Sequence, residues 1–443
     1  MGAVAAMMLA DNTRSLRLAQ LRIILLLFGG YAACYYCRAD LSVATPLLAE
    51  ELGRRGISHG DALIRIGTLS SLGVLAYALG KLFLTGLGDY WGGRRNFLIG
   101  VGGATVFTLL FAVGGSFPVF TVAWLGNRLT QSIGWAGLIK VSSRWFDYSS
   151  YGSIIGILSV SYLVGDALAR QQMGALIERG YGWRALFLFA ALVAAATLLA
   201  NLLWLRESRA TAGYAEATPN PLNLFAAAES RPARLGALLL PLLRSRAFLL
   251  VCLLSFACTI IRETFFTWTP VYLRDHLGYS MSHAATMSAL FPGVGAVSVL
   301  LAGWLSDHLG LNGRSLLLFL GLTATAAVLL TLRSLHPGSG PAMLPLIAIG
   351  LVGFCLLGPY SYLGGAFALD FGGKQASASA SGIIDGIGYL GGVLAGDSVA
   401  RLAVAFGWDG VFVTLAVVSA AAALCAGLLH LLNTRAMTEV LHA

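Results

Sequence analysis

Arg38 and Arg262 each lie near the middle of a long apolar stretch, at equivalent positions of an internal repeat, 224 residues apart. A guanidinium group pairs bidentately with phosphate or carboxylate and keeps its charge in a protein. Two such groups facing one cavity would clamp a multivalent oxyanion. The alternative is a structural ion pair of each arginine with an acidic neighbour, Asp40 or Glu263. Side chains one or two positions apart on a helix point to different faces, which favours the clamp.

Aromatic hydroxyls and a lysine accompany the first arginine. Tyr31, Tyr35 and Arg38 follow at intervals of four and three residues, so they form one stripe along a helix. Phenol hydroxyls on this stripe could donate to phosphate oxygens, and the rings could stack against a sugar. Lys81 lies within the second apolar stretch with no carboxylate one turn away. It is either a further substrate ligand or a side chain that extends to the membrane surface.

Other charged residues also lie within apolar stretches, where charge is costly and marks substrate or ion pathways. Asp166 and Arg170 are one turn apart, so mutual neutralisation is the favoured interpretation and a coupling role is the other. Arg128 resembles the arginine in the Arg-x-x-Gln motif of proton-coupled facilitators. Asp385 shares a helix face with Tyr389, and binding of a substrate amine, proton coupling and structural pairing are equally open for it.

The elements that must position these groups are membrane-spanning helices. The 443 residues are 57% hydrophobic and 11% charged, against roughly 45–50% and about 25% in soluble domains. The apolar stretches approach or exceed the ~20 residues that cross a bilayer. They predict an all-α polytopic membrane protein with twelve transmembrane helices. The predicted spans are 21–49, 62–88, 96–115, 117–143, 153–178, 183–205, 247–274, 283–306, 314–333, 341–368, 376–404 and 408–433.

The spans form two sets of six, separated by one long polar segment. We predict an N-terminal six-helix bundle over 1–205, a cytoplasmic linker over 206–246 and a C-terminal six-helix bundle over 247–443. The dipeptide Thr-Pro follows Arg38 and Arg262 at the same distance. The two halves are therefore predicted to be pseudo-symmetric copies of one unit.

The distribution of charge predicts the orientation in the membrane. The net charge is +9, and lysine and arginine are more frequent in the connections on the side of both termini, which places the termini in the cytoplasm. Topology thus explains the basic charge without nucleic-acid binding. The Ala-, Gly- and Arg-rich composition fits a bacterial inner membrane protein, and we expect a monomer.

A charged connection follows the second span. Asp89 precedes Arg94 and Arg95, and a weaker copy of the pattern contains Asp307 after the eighth span. The pattern resembles the loop signature of the major facilitator superfamily, which implies that fold for the whole chain. An aspartate at a helix end beside two arginines can form a cytoplasmic latch that opens as the halves rock. A signal for topology alone is the other interpretation.

Motifs along nearly the full chain resemble the organophosphate:phosphate antiporters, the family of glycerol-3-phosphate and hexose-phosphate transporters. They are Gly-Tyr-Ala-Ala-x-Tyr-x-x-Arg at 30–38, Ala-Tyr-x-x-x-Lys at 76–81, Gln-x-x-Gly-Trp at 131–135, Trp-x-Pro-x-Tyr-Leu at 268–273 and Gly-Tyr-Leu-Gly-Gly at 388–392. The resemblance implies that Arg38 and Arg262 coordinate phosphate. It also implies four further cavity-lining residues: Tyr31, Tyr35, Lys81 and Tyr389.

The chain departs from this family at several positions near the expected site. Tyr162 replaces a histidine of the glycerol-3-phosphate member, and we include it among the substrate ligands. Ala39 follows the first arginine where the family commonly has lysine or another polar residue. These differences leave the predicted fold unchanged and leave the identity of the substrate open.

We therefore expect a secondary transporter of a small phosphorylated organic anion, of the sugar phosphate or glycerol phosphate class, that exchanges it for inorganic phosphate by alternating access. The alternatives are a proton-coupled carrier of another organic anion or zwitterion and a transporter-like membrane sensor of sugar phosphate. The sequence has no nucleophile–base constellation and no metal-ligand set, so we expect no enzyme, cofactor or metal. The expected partners are the substrate anions and the lipid bilayer.

Overall fold

The computed structural model describes residues 2–84, 92–217, 242–335 and 343–442, and within these ranges the chain is helical without strands. The helices of the first half are α1 Gly2–Arg54, α2 His59–Leu84, α3 Gly93–Val113, α4 Phe117–Gln131, α5 Gly134–Trp145, α6 Tyr148–Glu178 and α7 Trp183–Trp204. A short 3₁₀ turn follows at Ala210–Ala212. The helices of the second half are α8 Arg246–Val271, α9 Met281–Met287, α10 Leu290–Arg333, α11 Leu344–Tyr362, α12 Ala368–Val393 and α13 Asp397–His442, with π-helical turns at Tyr272–His276 and Leu363–Phe367.

Each helix that carries one of the two arginines departs from regular α-helical geometry or hydrogen bonding at one position. Cys37 in α1 leaves the helical conformation (φ −79°, ψ 17°), directly before Arg38. In α8, Pro270 has no N–H and leaves the carbonyl of Phe266 without its helical partner. Arg170 of α6 uses this oxygen, because its Nη2 donates to Phe266 O at 2.6 Å. The proline thus leaves a carbonyl oxygen in the second half that accepts a hydrogen bond from the first half.

The final helix contains a break that matches a predicted boundary. Gly407 in α13 has φ 70°, a region that only glycine adopts readily. It lies one residue before the predicted start of span twelve at 408. Residues 397–404, before this break, are the last part of predicted span eleven.

Ten segments of the described residues are long and apolar enough to cross a bilayer, and the last, 380–434, covers predicted spans eleven and twelve. Predicted span four is divided at Ser132 and Ile133 into α4 and α5, each too short to cross alone. The residues between predicted spans eight and nine are helical within α10. The segments on either side, Met281–Leu305 and Gly313–Arg333, are each long and apolar enough to cross a bilayer separately, as the two predicted spans are. The all-α polytopic class is confirmed, and the number twelve stays a prediction.

The two larger apolar cores follow the halves of the chain. One consists, with few exceptions, of residues between 242 and 429, and the other of residues between 23 and 205. This division supports the predicted bundles over 1–205 and 247–443. Their boundaries stay predictions, because most of the linker, residues 218–241, lies outside the described residues.

The halves meet where α1 packs on α8, α2 on α12 and α13, and α6 on α9 and α10. Many polar bonds between them lie toward the end that carries the connections 55–58 and 277–280, which we call the contact end. They join His59 to Asp275 (2.8 Å), Arg274 to Glu50 (3.4 Å), Ser282 to the carbonyl of Gly174 (2.8 Å) and Thr68 to Asp397 (2.6 Å).

Backbones touch directly at this interface between α2 and the turn before α13. A Cβ atom at Gly67 would lie 2.9 Å from the carbonyl oxygen of Gly396, and one at Gly396 would overlap the carbonyl oxygen of Gly67. Beside them, Ser71 Oγ donates to the carbonyl of Val393 at 2.5 Å. The two glycines therefore set how closely the halves approach at the contact end.

Candidate substrate site

Two adjoining cavities lie between the halves, and Tyr35, Tyr162 and Arg262 line both. The smaller cavity, about 40 Å³, has six charged lining residues: Arg38, Arg128, Asp166, Arg170, Arg262 and Glu263. The larger cavity, about 430 Å³, extends away from the contact end and is lined by, among others, Tyr31, Tyr77, Lys81, Trp135, Tyr360, Asp385 and Tyr389. Every residue predicted to bind substrate lines one cavity or both.

Arg38 is held by neutral groups. Its Nε donates to Gln131 Oε1 at 2.6 Å, and its Nη1 donates to Tyr35 Oη at 3.2 Å. The guanidinium carbon lies 4.5 Å from the ring centre of Tyr35 and 4.3 Å from that of Tyr77. Nη2 is buried without a hydrogen-bond partner. Arg38 therefore presents a positive charge that these partners orient but do not neutralise.

Arg262 has a carboxylate beside it. Its Nη2 donates to Oε1 of Glu263 at 2.6 Å, so the ion pair that we considered less favoured from the sequence is formed. The rule against adjacent pairs concerns Cβ directions, and these long side chains bend toward one another inside the cavity. The rings of Tyr360 and Tyr389 lie 4.7 and 5.3 Å from the guanidinium carbon, and Nε is buried without a partner.

Asp40, by contrast, forms no ion pair with Arg38 among the described contacts. It is fully buried, and its Oδ1 accepts a 2.7 Å hydrogen bond from the backbone N–H of Leu41. The two arginines therefore differ in their acidic neighbours.

Arg128 lies in the smaller cavity, although the sequence suggested a coupling role for it. The side chain is 6% exposed, and Nη2 lies 3.9 Å from Oε2 of Glu263. Its guanidinium carbon is 5.6 Å from the rings of both Tyr77 and Trp124, and its Nε has no partner. Glu263 thus lies between Arg128 of the first half and Arg262 of the second.

Lys81 and Asp385 join the halves across the larger cavity. Lys81 Nζ donates to Asp385 Oδ2 at 3.0 Å. The ammonium nitrogen is also 5.7 Å from the ring of Tyr77 and 5.3 Å from that of Tyr389, and these rings meet edge to face at 4.8 Å. The sequence search for a partner one turn away missed this pair, because the carboxylate comes from the other half.

Asp166 and Arg170 pair as their spacing predicts. Arg170 Nε donates to Asp166 Oδ2 at 2.5 Å, and Arg170 also reaches Ser288 Oγ at 3.1 Å. With its bond to the carbonyl of Phe266, Arg170 of the first half is anchored on α8 and on the turn between α9 and α10 of the second. A coupling role for this pair stays a prediction.

An aromatic wall forms one side of the larger cavity. Tyr31 lies 5.7 Å from Tyr35 and 5.1 Å from Trp135, and Tyr35 lies 5.2 Å from Tyr162, all between ring centres. Tyr31 and Tyr35 belong to the predicted stripe. Trp135 and Tyr77 belong to the motifs that resemble the organophosphate:phosphate antiporters, but the sequence alone does not assign them to the site, and it does not identify Tyr360.

The predicted latch is only partly described. Asp89 lies outside the described residues, as does the side chain of Asp307. Arg94 donates from Nε and Nη2 to the carbonyls of Leu205 and Leu202 at 2.7 and 2.8 Å, which satisfies the C-terminal end of α7. The backbone N–H groups of Gly93 and Arg94 donate to Glu207. Gating by Asp89, Arg94, Arg95 and Asp307 stays a prediction.

The charge of the cavities is positive overall. The Asp166–Arg170 pair is self-neutralised, which leaves four cations and two carboxylates in the lining, a net charge of two positive. These groups are Arg38, Lys81, Arg128, Arg262, Glu263 and Asp385. Within the described residues, no group of three or more His, Cys, Asp or Glu side chains could hold a metal ion.

The chain is similar in sequence and in fold to known membrane proteins. The membrane sensor protein UhpC of Escherichia coli is 28% identical over 436 residues, which cover 94% of this chain and 93% of that protein. The glycerol-3-phosphate transporter of Bacillus subtilis is 23% identical over 407 residues, which cover 89% of each. A solved D-xylose-proton symporter has a TM-score of 0.72 at 13% identity, with 92% of this chain and 97% of that one covered.

These relatives confirm the resemblance to organophosphate transporters, and the symporter confirms the fold. The same comparisons confirm the prediction of a carrier-type membrane protein rather than an enzyme. The family model described as Major Facilitator Superfamily matches residues 27–396. Since this match covers most of the chain, the chain belongs to the major facilitator superfamily.

Proposed function

We propose that the chain is a secondary transporter that moves a small phosphorylated organic anion in exchange for inorganic phosphate by alternating access. One observation carries the proposal, a set of buried guanidinium nitrogens that have no hydrogen-bond partner. These are Nη2 of Arg38, Nε of Arg128 and Nε of Arg262. A buried charged donor without an acceptor is costly, so these atoms favour a bound oxyanion. Phosphate has enough oxygens to accept from several guanidinium groups at once.

Charge and space support a phosphate ester in particular. The net charge of two positive in the cavity lining matches the roughly 1.5 to 2 negative charges of a phosphate monoester at neutral pH. The larger cavity of about 430 Å³ adjoins the arginines and gives room for the organic part. Its tyrosine and tryptophan rings provide faces for a sugar or glycerol carbon skeleton. The relative from Bacillus subtilis is named a glycerol-3-phosphate transporter.

The arrangement of contacts supports transport by rocking of two halves in one monomeric chain. Many bonds between the halves lie at the contact end, and the larger cavity extends toward the other end. With both termini in the cytoplasm of a bacterial cell, the contact end faces outward and the larger cavity faces the cytoplasm. An anion bound between the halves would offset the repulsion of Arg38 and Arg262 as they close around it.

A second candidate function is a membrane sensor with the same binding site, favoured by the Escherichia coli relative that is named a sensor. Binding without flux would distinguish it from a transporter. A proton-coupled carrier that uses Asp385 is less well supported, because that carboxylate pairs with Lys81.

The test is uptake of labelled inorganic phosphate into proteoliposomes loaded with unlabelled phosphate. We expect exchange in the wild type and a loss of at least about tenfold in Arg38→Lys and Arg262→Lys, since lysine cannot form the bidentate contact. The matched control is Arg333→Lys, at the exposed end of α10. Competition by glycerol phosphates and sugar phosphates then ranks the substrates. Full exchange in both cavity variants would refute the site, and phosphate binding without any flux would favour the sensor.

A further inference from the structure

Glu263 is an acidic side chain placed where an anionic substrate must bind. It is 9% exposed and follows Arg262 directly on α8. Its Oε1 accepts from Arg262 Nη2 at 2.6 Å, and its Oε2 lies 3.9 Å from Arg128 Nη2. The carboxylate therefore bridges a cation of the second half and a cation of the first.

A carboxylate offers guanidinium groups the same planar pair of acceptors that an oxyanion substrate offers. An arriving phosphate must displace Glu263 from Arg262 or share that arginine with it. Arg38 has no such competitor among its hydrogen-bond partners, which are the neutral side chains of Gln131 and Tyr35.

The contacts of Glu263 with Arg128 and Arg262 also affect the conformational change of the protein when no substrate is bound. When no anion is bound, closing the halves would bring unneutralised arginines together in a cavity with little water, which is unfavourable. Between Arg128 and Arg262 a negative charge is already present.

We propose that Glu263 is a resident counter-anion that lets the empty carrier change conformation, so that the protein performs net transport as well as exchange. Substrate and carboxylate alternate on Arg262 during the cycle. This inference rests on the proposed transport of phosphate-containing anions and specifies its coupling.

The experiment compares two fluxes in the same proteoliposomes, with membrane potential clamped by potassium and valinomycin. Exchange is measured with inorganic phosphate on both sides, and net efflux with inorganic phosphate inside only. In the wild type we expect both fluxes. In Glu263→Gln, which keeps the shape and removes the charge, we expect the ratio of net efflux to exchange to fall about tenfold and phosphate to bind about tenfold more tightly, each equivalent to about 1.4 kcal/mol.

Glu178→Gln is the matched control, since Glu178 is exposed at the end of α6. Glu263→Asp withdraws the carboxylate by one methylene and should lower the flux ratio severalfold, so it serves where the glutamine variant does not fold. An unchanged ratio in these variants, or a wild type that exchanges phosphate without any net efflux, would overturn the inference. A wild type that neither binds nor exchanges phosphate would instead overturn the proposed function itself.

Discussion

Arg38 and Arg262 hold equivalent positions in the two halves, yet their surroundings carry different charges. Arg38 contacts the amide of Gln131 and the hydroxyl of Tyr35, whereas Arg262 contacts the carboxylate of Glu263. The internal repeat thus preserves the place of each guanidinium but not its electrostatic environment. The first half presents an open positive charge and the second a partly neutralised one.

Under the proposed function, this difference predicts unequal shares of anion binding for the two arginines. An anion that binds Arg38 exchanges only neutral contacts, while one that binds Arg262 must first compete with Glu263. Variants on the two sides should therefore have effects of different size, although the internal repeat alone would predict equal effects.

The largest effect is expected at Arg38. Replacing Arg38 by lysine removes the guanidinium group that Gln131 and Tyr35 orient. Phosphate exchange should fall about 100-fold, because losing a buried charge-assisted contact costs about 2–5 kcal/mol. Arg262→Lys should lower it about tenfold, since Glu263 already weakens that contact. Initial rates of exchange at phosphate concentrations well below the wild-type KM test the order. Equal losses would remove the proposed asymmetry.

A second variant gives Arg38 a carboxylate neighbour, as Arg262 already has in Glu263. Gln131→Glu would place a carboxylate 2.6 Å from Arg38 Nε, where the amide oxygen now lies, and should weaken phosphate binding about tenfold. The control is Gln172→Glu on α6, whose side chain accepts from Tyr36 Oη away from the cavities. The apparent affinity for inorganic phosphate is the measurement. A Gln131→Glu protein with unchanged affinity would show that charge near Arg38 is immaterial.

A smaller effect is expected where the halves are joined by opposite charges. The side chains of Lys81 and Asp385 are 18% and 29% exposed, so solvent weakens their ion pair. The coupling energy between the variants Lys81→Met and Asp385→Asn should therefore be about 1 kcal/mol, which corresponds to roughly fivefold in KM. A double-mutant cycle on exchange kinetics measures it. Strictly additive effects would mean that the ion pair contributes nothing to the site.

The smallest effect is expected at the equivalent prolines. Pro270→Ala restores an N–H that competes with Arg170 for the carbonyl of Phe266, which should slow exchange about threefold by weakening one hydrogen bond between the halves. Pro46→Ala in α1 is the matched change on the other side. If the two alanine variants exchange equally fast, Arg170 does not depend on the freed carbonyl.

The sequence predicted most of the fold and many of the charged and aromatic residues that line the two cavities, because both depend on local patterns. Apolar length identifies the spans, and the repeat aligns Arg38 with Arg262. The pairing of Lys81 with Asp385 could not be predicted, since a single sequence does not show which helices of the two halves face each other. The pairing of Arg262 with Glu263 was judged unfavourable from helix geometry, which ignores how far long side chains bend.

The glycine contact at the contact end has a consequence for the balance between conformational states. Gly67 and Gly396 leave no space for a methyl group, so any side chain there penalises the state in which this end is shut and leaves the opposite state unaffected. Under the proposed alternating access, the population ratio of the two access states therefore depends on two glycines that are not among the lining residues of either cavity. Alanine at Gly67 would tilt that ratio and hold the binding cavities open toward the contact end.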